Sequence, residues 1–272
     1  MLLLRVSLGS AFLLLALAAP SFAQDAAPPD PQAAPANDGG WEVSVAPYLW
    51  GAGLDGTVAA NGVQTDFDVE FSDIFDELDF GILNAIEIRN DRVMITANLI
   101  YLKLSPESDR ATGSVLPGAP PGDFSVDAES QTLIFEVAPG YEIVSNERVA
   151  IDVRAGLRYW WLKNELDVRL DPGSPLGPFR RKFESTTDWL DIMVGARMRA
   201  RLTPKVGLVV AGDVGGFELG SASELSWSAQ GFVTYALGEH WELGAGWRSL
   251  DVDRRAVNFR MEGPLIGALR RF

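Results

Sequence analysis

Charged side chains that alternate with apolar ones are the first residues here able to do chemistry. They are Glu87, Arg89, Glu136, Glu142, Asp152, Arg154, Arg158, Asp191, Arg197, Arg199, Arg201, Asp213, Glu242 and Arg248. Carboxylates and guanidinium groups facing one confined space can pair and cancel, which satisfies buried charge and closes the space. They can also stand around an opening and select small polar solutes by charge. Both signs are present, and mixed signs favour pairing over an ion-selective ring.

A second constellation is the acidic run Asp66, Asp68, Glu70, Asp73, Asp76, Glu77 and Asp79. Dense carboxylates are hard oxygen ligands for Ca²⁺ or Mg²⁺, including the ions that bridge lipopolysaccharide. The spacing matches no EF-hand loop, so a solvated acidic loop, or a short helix from Ser72 to Leu78 folded into the mouth of the enclosed space, is the preferred reading. The Asn61-Gly62 pair ahead of it has the chemistry of a hairpin tip. Catalysis has little support. The only histidine, His240, falls on a tight turn, and Gly212 to Gly216 lacks the strand-to-helix context of a phosphate loop. No cofactor is implied.

The elements that must position these charges have a period of two. Val149, Ile151, Val153, Ala155, Leu157, Tyr159 and Trp161 form one face, against Ala150, Asp152, Arg154, Gly156, Arg158 and Trp160. Leu190, Ile192, Val194, Ala196 and Met198 alternate likewise with Asp191, Met193, Gly195, Arg197 and Arg199. The same pattern predicts strands near Trp41–Val58, Phe80–Arg89, Val93–Leu104, Gln131–Val144, Val149–Val168, Lys182–Leu202, Val206–Phe217, Leu225–Leu237, Trp241–Leu250 and Phe259–Phe272. Connections at Asn90-Asp91, Ser145–Glu147, Thr203-Pro204 and Gly238–His240 are short, whereas Gly51–Asp79, Ser105–Ser130, Arg169–Arg181 and Glu218–Glu224 are long. Short turns on one rim and long loops on the other describe an antiparallel up-and-down transmembrane β-barrel of about ten strands, eight or twelve being the alternatives.

Aromatic residues sort by strand end, as interface girdles require. Trp41, Tyr141, Tyr235, Trp241 and Phe272 fall toward the short turns; Tyr101, Phe135, Tyr159, Trp161 and Trp227 fall toward the loops. Trp227 and Tyr235 stand about 20 Å apart along the axis, at ~3.3 Å per residue and a tilt of about 40°, which suits an apolar band about 25 Å tall.

Met1 to Ala23 has the basic start, apolar centre and Ser21-Phe22-Ala23 ending of a cleavable export signal. Gln24 to Gly40 is an Ala/Pro/Asn-rich lead-in without period, expected to be disordered, and Trp41 to Phe272 is one domain. Removing Arg5 with the leader takes the formal charge from −14 to −15, which excludes nucleic acid as a sensible partner. The absence of cysteine excludes disulfides and thiolate metal sites.

Several segments together resemble a family of uncharacterised proteobacterial outer-membrane proteins with a single β-barrel domain. They are Ala46–Val58 (APYLWGAGLDGTV), Phe71–Gly81 (FSDIFDELDFG), Gly212–Phe217 (GDVGGF) and Gly263–Gly267 (GPLIG). The resemblance implies a Gram-negative outer membrane and carries no assigned activity. Phe272 resembles the aromatic end of the signal read by the barrel-assembly machinery, with Arg270 standing where an apolar residue is usual. The expected partners are that machinery, outer-membrane lipid and lipopolysaccharide. The expected function is a structural or surface-interaction barrel with a charge-plugged lumen. A narrow porin-like channel is the alternative, and a lipid-acting enzyme, which would want a histidine near the loop rim, stands behind both.

Overall fold

Apolar–polar alternation builds a wall whose two faces differ in chemistry, and this chain does so with strands that hydrogen-bond into a ring. The computed structural model describes residues 40–60, 63–105, 109–113, 122–171, 179–255 and 257–272. The expected leader, the lead-in up to residue 39 and the Asn61-Gly62 tip lie outside the described residues.

In chain order the elements are β1 (Glu42–Trp50), β2 (Gly53–Ala60), β3 (Val63–Val69), α1 (Phe71–Asp76), β4 (Leu78–Asn90), β5 (Val93–Leu104), β6 (Asp109–Gly113) and β7 (Gly122–Ser145). Then follow β8 (Val149–Asp171), β9 (Phe179–Arg201), β10 (Val206–Gly216), β11 (Leu225–Ala236), β12 (Trp241–Arg254) and β13 (Val257–Arg271). Three of the thirteen strands, β2, β3 and β6, stand outside the ring. The other ten run in the order β1-β4-β5-β7-β8-β9-β10-β11-β12-β13, and β13 closes back onto β1 from Ser44↔Arg271 to Trp50↔Leu265. All pairings are antiparallel, and the ten-stranded closure agrees with the sequence reading.

Exposure is inverted relative to a soluble protein. Val153, Leu157, Leu190, Ile192, Val194 and Val233 are 40% to 50% exposed on the outside, whereas Asp152, Arg158 and Asp191 inside are at most 1% exposed. A Leu-sized side chain left in water forgoes about 1.5–3 kcal/mol of burial, and that loss repeats around the wall. Only lipid against the outer face removes it, so the barrel spans a membrane. Trp41, Tyr141, Tyr235, Trp241 and Phe272 are all exposed at the short-turn end. At the other end Phe135 pairs with Tyr159, and Leu133 stands between Tyr101 and Trp161, which levels that girdle across β5, β7 and β8. Arg270 lies over the rings of Trp241 at 5.4 Å and Phe272 at 4.7 Å, so its charge rests at the interface on aromatic faces.

Three sequence expectations need correction. The strand read as Trp41–Val58 is broken at Gly51–Ala52 into β1 and β2, and both halves follow β13. The connection Gly51–Asp79 contains the β2–β3 hairpin and α1, and α1 has no buried residue, so it does not fill the barrel mouth. Parts of the stretches read as the loops Ser105–Ser130 and Arg169–Arg181 are strand, because β7, β8 and β9 run for 24, 23 and 23 residues. A crossing needs about 9–11, so these three project beyond the membrane as a free-standing sheet. Both faces of that sheet are wet, and the apolar–polar contrast that betrays a strand in sequence fades there.

Ion pairs cover the outward face of the projecting sheet. Lys163 reaches Glu165 at 2.6 Å and Glu184 at 3.2 Å; Arg169 reaches Asp127 and Asp167, both at 3.2 Å; Lys103 reaches Glu129 at 3.2 Å. Lys182 also pairs with Glu165, and Arg180 with Asp167. Hydrogen bonds from Lys163 and Lys182 pull the Glu165 carboxyl down from 4.5 to about 2. Arg180, then Arg169, holds Asp167 down at about 2 from 3.8.

Candidate functional site: the barrel lumen

Inward-facing positions on the ten barrel strands stack into three layers. The layer nearest the short turns has three carboxylates and three guanidinium groups. Asp152 on β8 accepts from Arg89 on β4 at 3.2 Å, and from Arg197 at 2.8 Å and Arg199 at 3.3 Å on β9. Glu142 on β7 takes Arg89 at 3.1 Å and Arg199 at 2.8 Å, and Glu87 takes Arg89 at 3.0 Å and Arg197 at 2.7 Å. Each carboxylate is shared by two or three cations, and the layer is neutral. Met94 Sδ accepts from Arg89 at 3.1 Å.

The middle layer centres on Arg158, whose side chain is fully buried. It donates to Glu136 at 2.7 Å and Asp213 at 2.6 Å, and Arg154 also reaches Asp213 at 3.4 Å. From β12, Arg248 donates to Glu136 at 3.4 Å and to the Tyr48 hydroxyl at 3.3 Å. That hydroxyl donates to Asn98 Oδ1 at 2.8 Å, and Asn98 Nδ2 donates to Glu136 at 3.2 Å. In ring order β7 and β12 are five strands apart in ten, so the Glu136–Arg248 contact joins opposite walls. Polar groups bridge the lumen from side to side at this level.

The layer nearest the loops is apolar. Trp50, Ala52, Ile100, Ile134, Trp160, Trp189, Leu250, Val252, Phe259 and Met261 form one buried cluster. Trp160 stacks on Trp189 at 5.3 Å, and Phe259 meets Trp160 edge-on at 5.8 Å. The indole nitrogens find partners, as buried Trp requires: Trp160 donates to Asp191 at 3.0 Å, Trp189 to Ser223 Oγ at 2.9 Å and Trp50 to the Arg248 carbonyl at 3.3 Å. Asp191 also accepts from the Ser223 backbone N–H at 2.8 Å and hydroxyl at 2.9 Å. These bonds draw the 217–224 connection inward. Its start is turned by Gly216, Phe217 and Glu218 at φ +95°, +64° and +54°, and Ser223 is fully buried.

The structure therefore brings Glu136, Asp152, Arg154, Arg158, Arg197, Arg199, Asp213 and Arg248, with Glu87, Arg89 and Glu142, into two bonded layers. It separates two of the predicted residues from them. Asp191 serves the tryptophans and Ser223, and Glu242 pairs with Arg271 at the short-turn rim. Tyr48, Asn98 and Met94, and the whole aromatic layer, escaped the sequence reading. The available signal was parity: Trp160 shares a face with Asp152, Arg154 and Arg158. Tryptophan in a membrane strand is otherwise read as an interface residue.

The acidic run is spread along one hairpin and helix. Asp66 on β3 accepts from Thr57 Oγ1 at 2.8 Å, Asp68 stands opposite Asp55, Glu70 is the residue before α1, and Asp73 and Asp76 lie on it. Burial pushes the Glu77 carboxyl up, and the charges of Asp73 and Asp76 push it further. Among the described residues no three His, Cys, Asp or Glu side chains gather as a metal site would need. His240 is exposed on the β11–β12 turn, on the rim opposite the loops.

No protein-family model matches this chain, and no curated protein matches it. Solved structures of similar layout include outer membrane protease OmpT from Escherichia coli, 10% identical over 86% of this chain and 98% of that one, with a TM-score of 0.49. Another is the translocator domain of autotransporter NalP from Neisseria meningitidis, 14% identical over 87% and 90%, TM-score 0.42. A third is the toluene transporter TodX from P. putida, 9% identical over 87% and 90%, TM-score 0.31. The likeness is one of barrel layout, and what those proteins do does not pass to this chain. A closed, even-stranded antiparallel barrel with a lipid-facing apolar band, two aromatic girdles and a polar interior is the outer-membrane architecture of Gram-negative bacteria, and the described residues of this chain form it.

Proposed function

We propose that this protein is a closed outer-membrane barrel with a structural or surface-interaction role, in which the lumen is a filled core and the exterior sheet and acidic hairpin are the working surfaces. The observation that carries this reading is the wall-to-wall contact of Glu136 with Arg248, capped by the stacked tryptophans. Buried charges this fully shared are strongly destabilised by losing one partner, so transient opening by side-chain motion is disfavoured. Both termini lie on the periplasmic side in this reading, Met1 to Ala23 is removed as a leader, and the assembly machinery reads the end at Phe272. Lipid and lipopolysaccharide surround the belt. Catalysis forms no part of the proposal.

Liposome swelling with small neutral sugars tests it. Vesicles carrying the refolded barrel should swell no faster than empty vesicles, and swelling at the rate of an open porin would overturn the reading in favour of a narrow channel. In that case Arg197→Glu with Arg199→Glu would shift the selectivity of the channel between anions and cations.

A further inference from the structure

Between β1 and β4 the ladder of the ring stops within the lipid band. The β1–β4 ladder runs from Glu42↔Arg89 to Pro47↔Asn84 and ends there. Beyond it β1 keeps only β13, and β2 continues along β13 but takes β3 on its other side. β4 from Leu78 to Leu83 keeps only β5. Extending the register would set Tyr48 opposite Leu83, Leu49 opposite Ile82 and Trp50 opposite Gly81, and among the described residues those pairs are not made. Pro47 brings no N–H to the last step, which suits the end of a ladder. Ile82 is level with Tyr101 of the outer girdle, so the interval lies in the upper part of the membrane.

The two faces of the interval are apolar. On the lipid side Leu49 is 66% exposed, with Phe80 and Ile82 also exposed. On the lumen side stand Trp50, Leu83 and Leu102, part of or packed on the aromatic cluster. At its foot, Asn84 Oδ1 is buried with no hydrogen-bond partner. At its upper end α1 lies against the outside of the wall: a Cβ on the outward-facing Gly51 would stand 3.6 Å from the Phe71 ring. Phe71 and Phe75 are 42% and 52% exposed, with ring centroids 5.7 Å apart.

We propose that this interval is a lateral slot that holds one acyl chain of an outer-leaflet lipid, with α1 at its rim. Bilayer hydrocarbon is what meets the opening, and its walls match hydrocarbon. Leu49, Phe80 and Ile82 on its lipid side lie in the belt that resident lipid chains cover, so the occupant is a chain of a resident lipid. The slot is blind, because the aromatic layer packs behind it. The proposal depends on the lipid-facing belt and not on closure of the lumen, so the two readings can fail separately.

Photolabelling of the unaltered full-length barrel tests the slot. The barrel is refolded into vesicles of phosphatidylcholine carrying a diazirine on one acyl chain, irradiated, and the adducts are mapped by mass spectrometry. Outward Ile82 and Leu49 label in any lipid-embedded state. The slot predicts that inward Leu83 and Trp50 also label, at least about fivefold more than inward Leu250, which lies behind a seam paired along its length. Labelling of Leu83 and Trp50 no greater than that of Leu250 would overturn the proposal. So would labelling of Leu83 and Trp50 by a free diazirine fatty acid but not by the phospholipid.

Discussion

Arg158 concentrates the energetics of the lumen in one side chain. Its guanidinium is fully buried and bonds Glu136 and Asp213, so Arg158→Met leaves two inward carboxylates short of a partner. Breaking a buried pair in this way costs about 3–5 kcal/mol, and urea titration of the refolded barrel, followed by tryptophan emission, should report a loss of that size. Arg260→Met, which removes a half-exposed partner of Asp251, should cost less than about 1 kcal/mol; equal losses for the two would contradict the assignment of the middle layer as the barrel's core. Residues of this kind were legible in sequence, because charge alternating with Val, Leu and Ile leaves only the inside for Asp152, Arg158 and Arg197. Parity puts Trp160 on that same inward face, but its packing with Trp189 and Phe259 into one layer was not legible, since it joins rings from strands whose register the sequence does not state.

Strands reach past the lipid on one side of the barrel only, and their ends are held by charge instead of hydrocarbon. Glu165 and Asp167 are both drawn down to about 2 by their Lys and Arg partners. A depressed carboxyl adds stability that is present above its ordinary range near 4 and is lost as pH falls through the folded value. Acid should therefore loosen the β8–β9 projection between about pH 4.5 and 2 while the membrane ring persists. A nitroxide at Ser185→Cys, in a chain with no cysteine of its own, should gain mobility over that interval, and a flat response would rule out ion pairing as what holds the sheet. Closer to the seam, a Cβ on Gly263 would stand 1.9 Å from the Gly51 carbonyl. Gly263→Ala should therefore lower the yield of heat-modifiable folded barrel markedly; wild-type yield would show that the β1–β2 break does not need that close approach. The ladder ending at Pro47 was hidden in the sequence because β1 and β2 keep one unbroken alternation along β13.

The whole molecule is an inside-out protein whose lumen is organised like a core, with ionic layers below and an aromatic layer above. Its ten strands and four short turns followed from period-two alternation and from Asn, Asp, Gly and Pro at the breaks. The filling of the lumen did not, because contacts such as Glu136–Arg248 join residues 112 positions apart, and no local pattern encodes which inward charges meet. The claim on which the rest depends is that these contacts close the barrel. Single-channel recording of the refolded protein in a planar bilayer tests it most directly. A lumen closed by these contacts gives a quiet baseline at both polarities, with no reproducible steps. Steady conductance steps of constant size from the unaltered protein would contradict it.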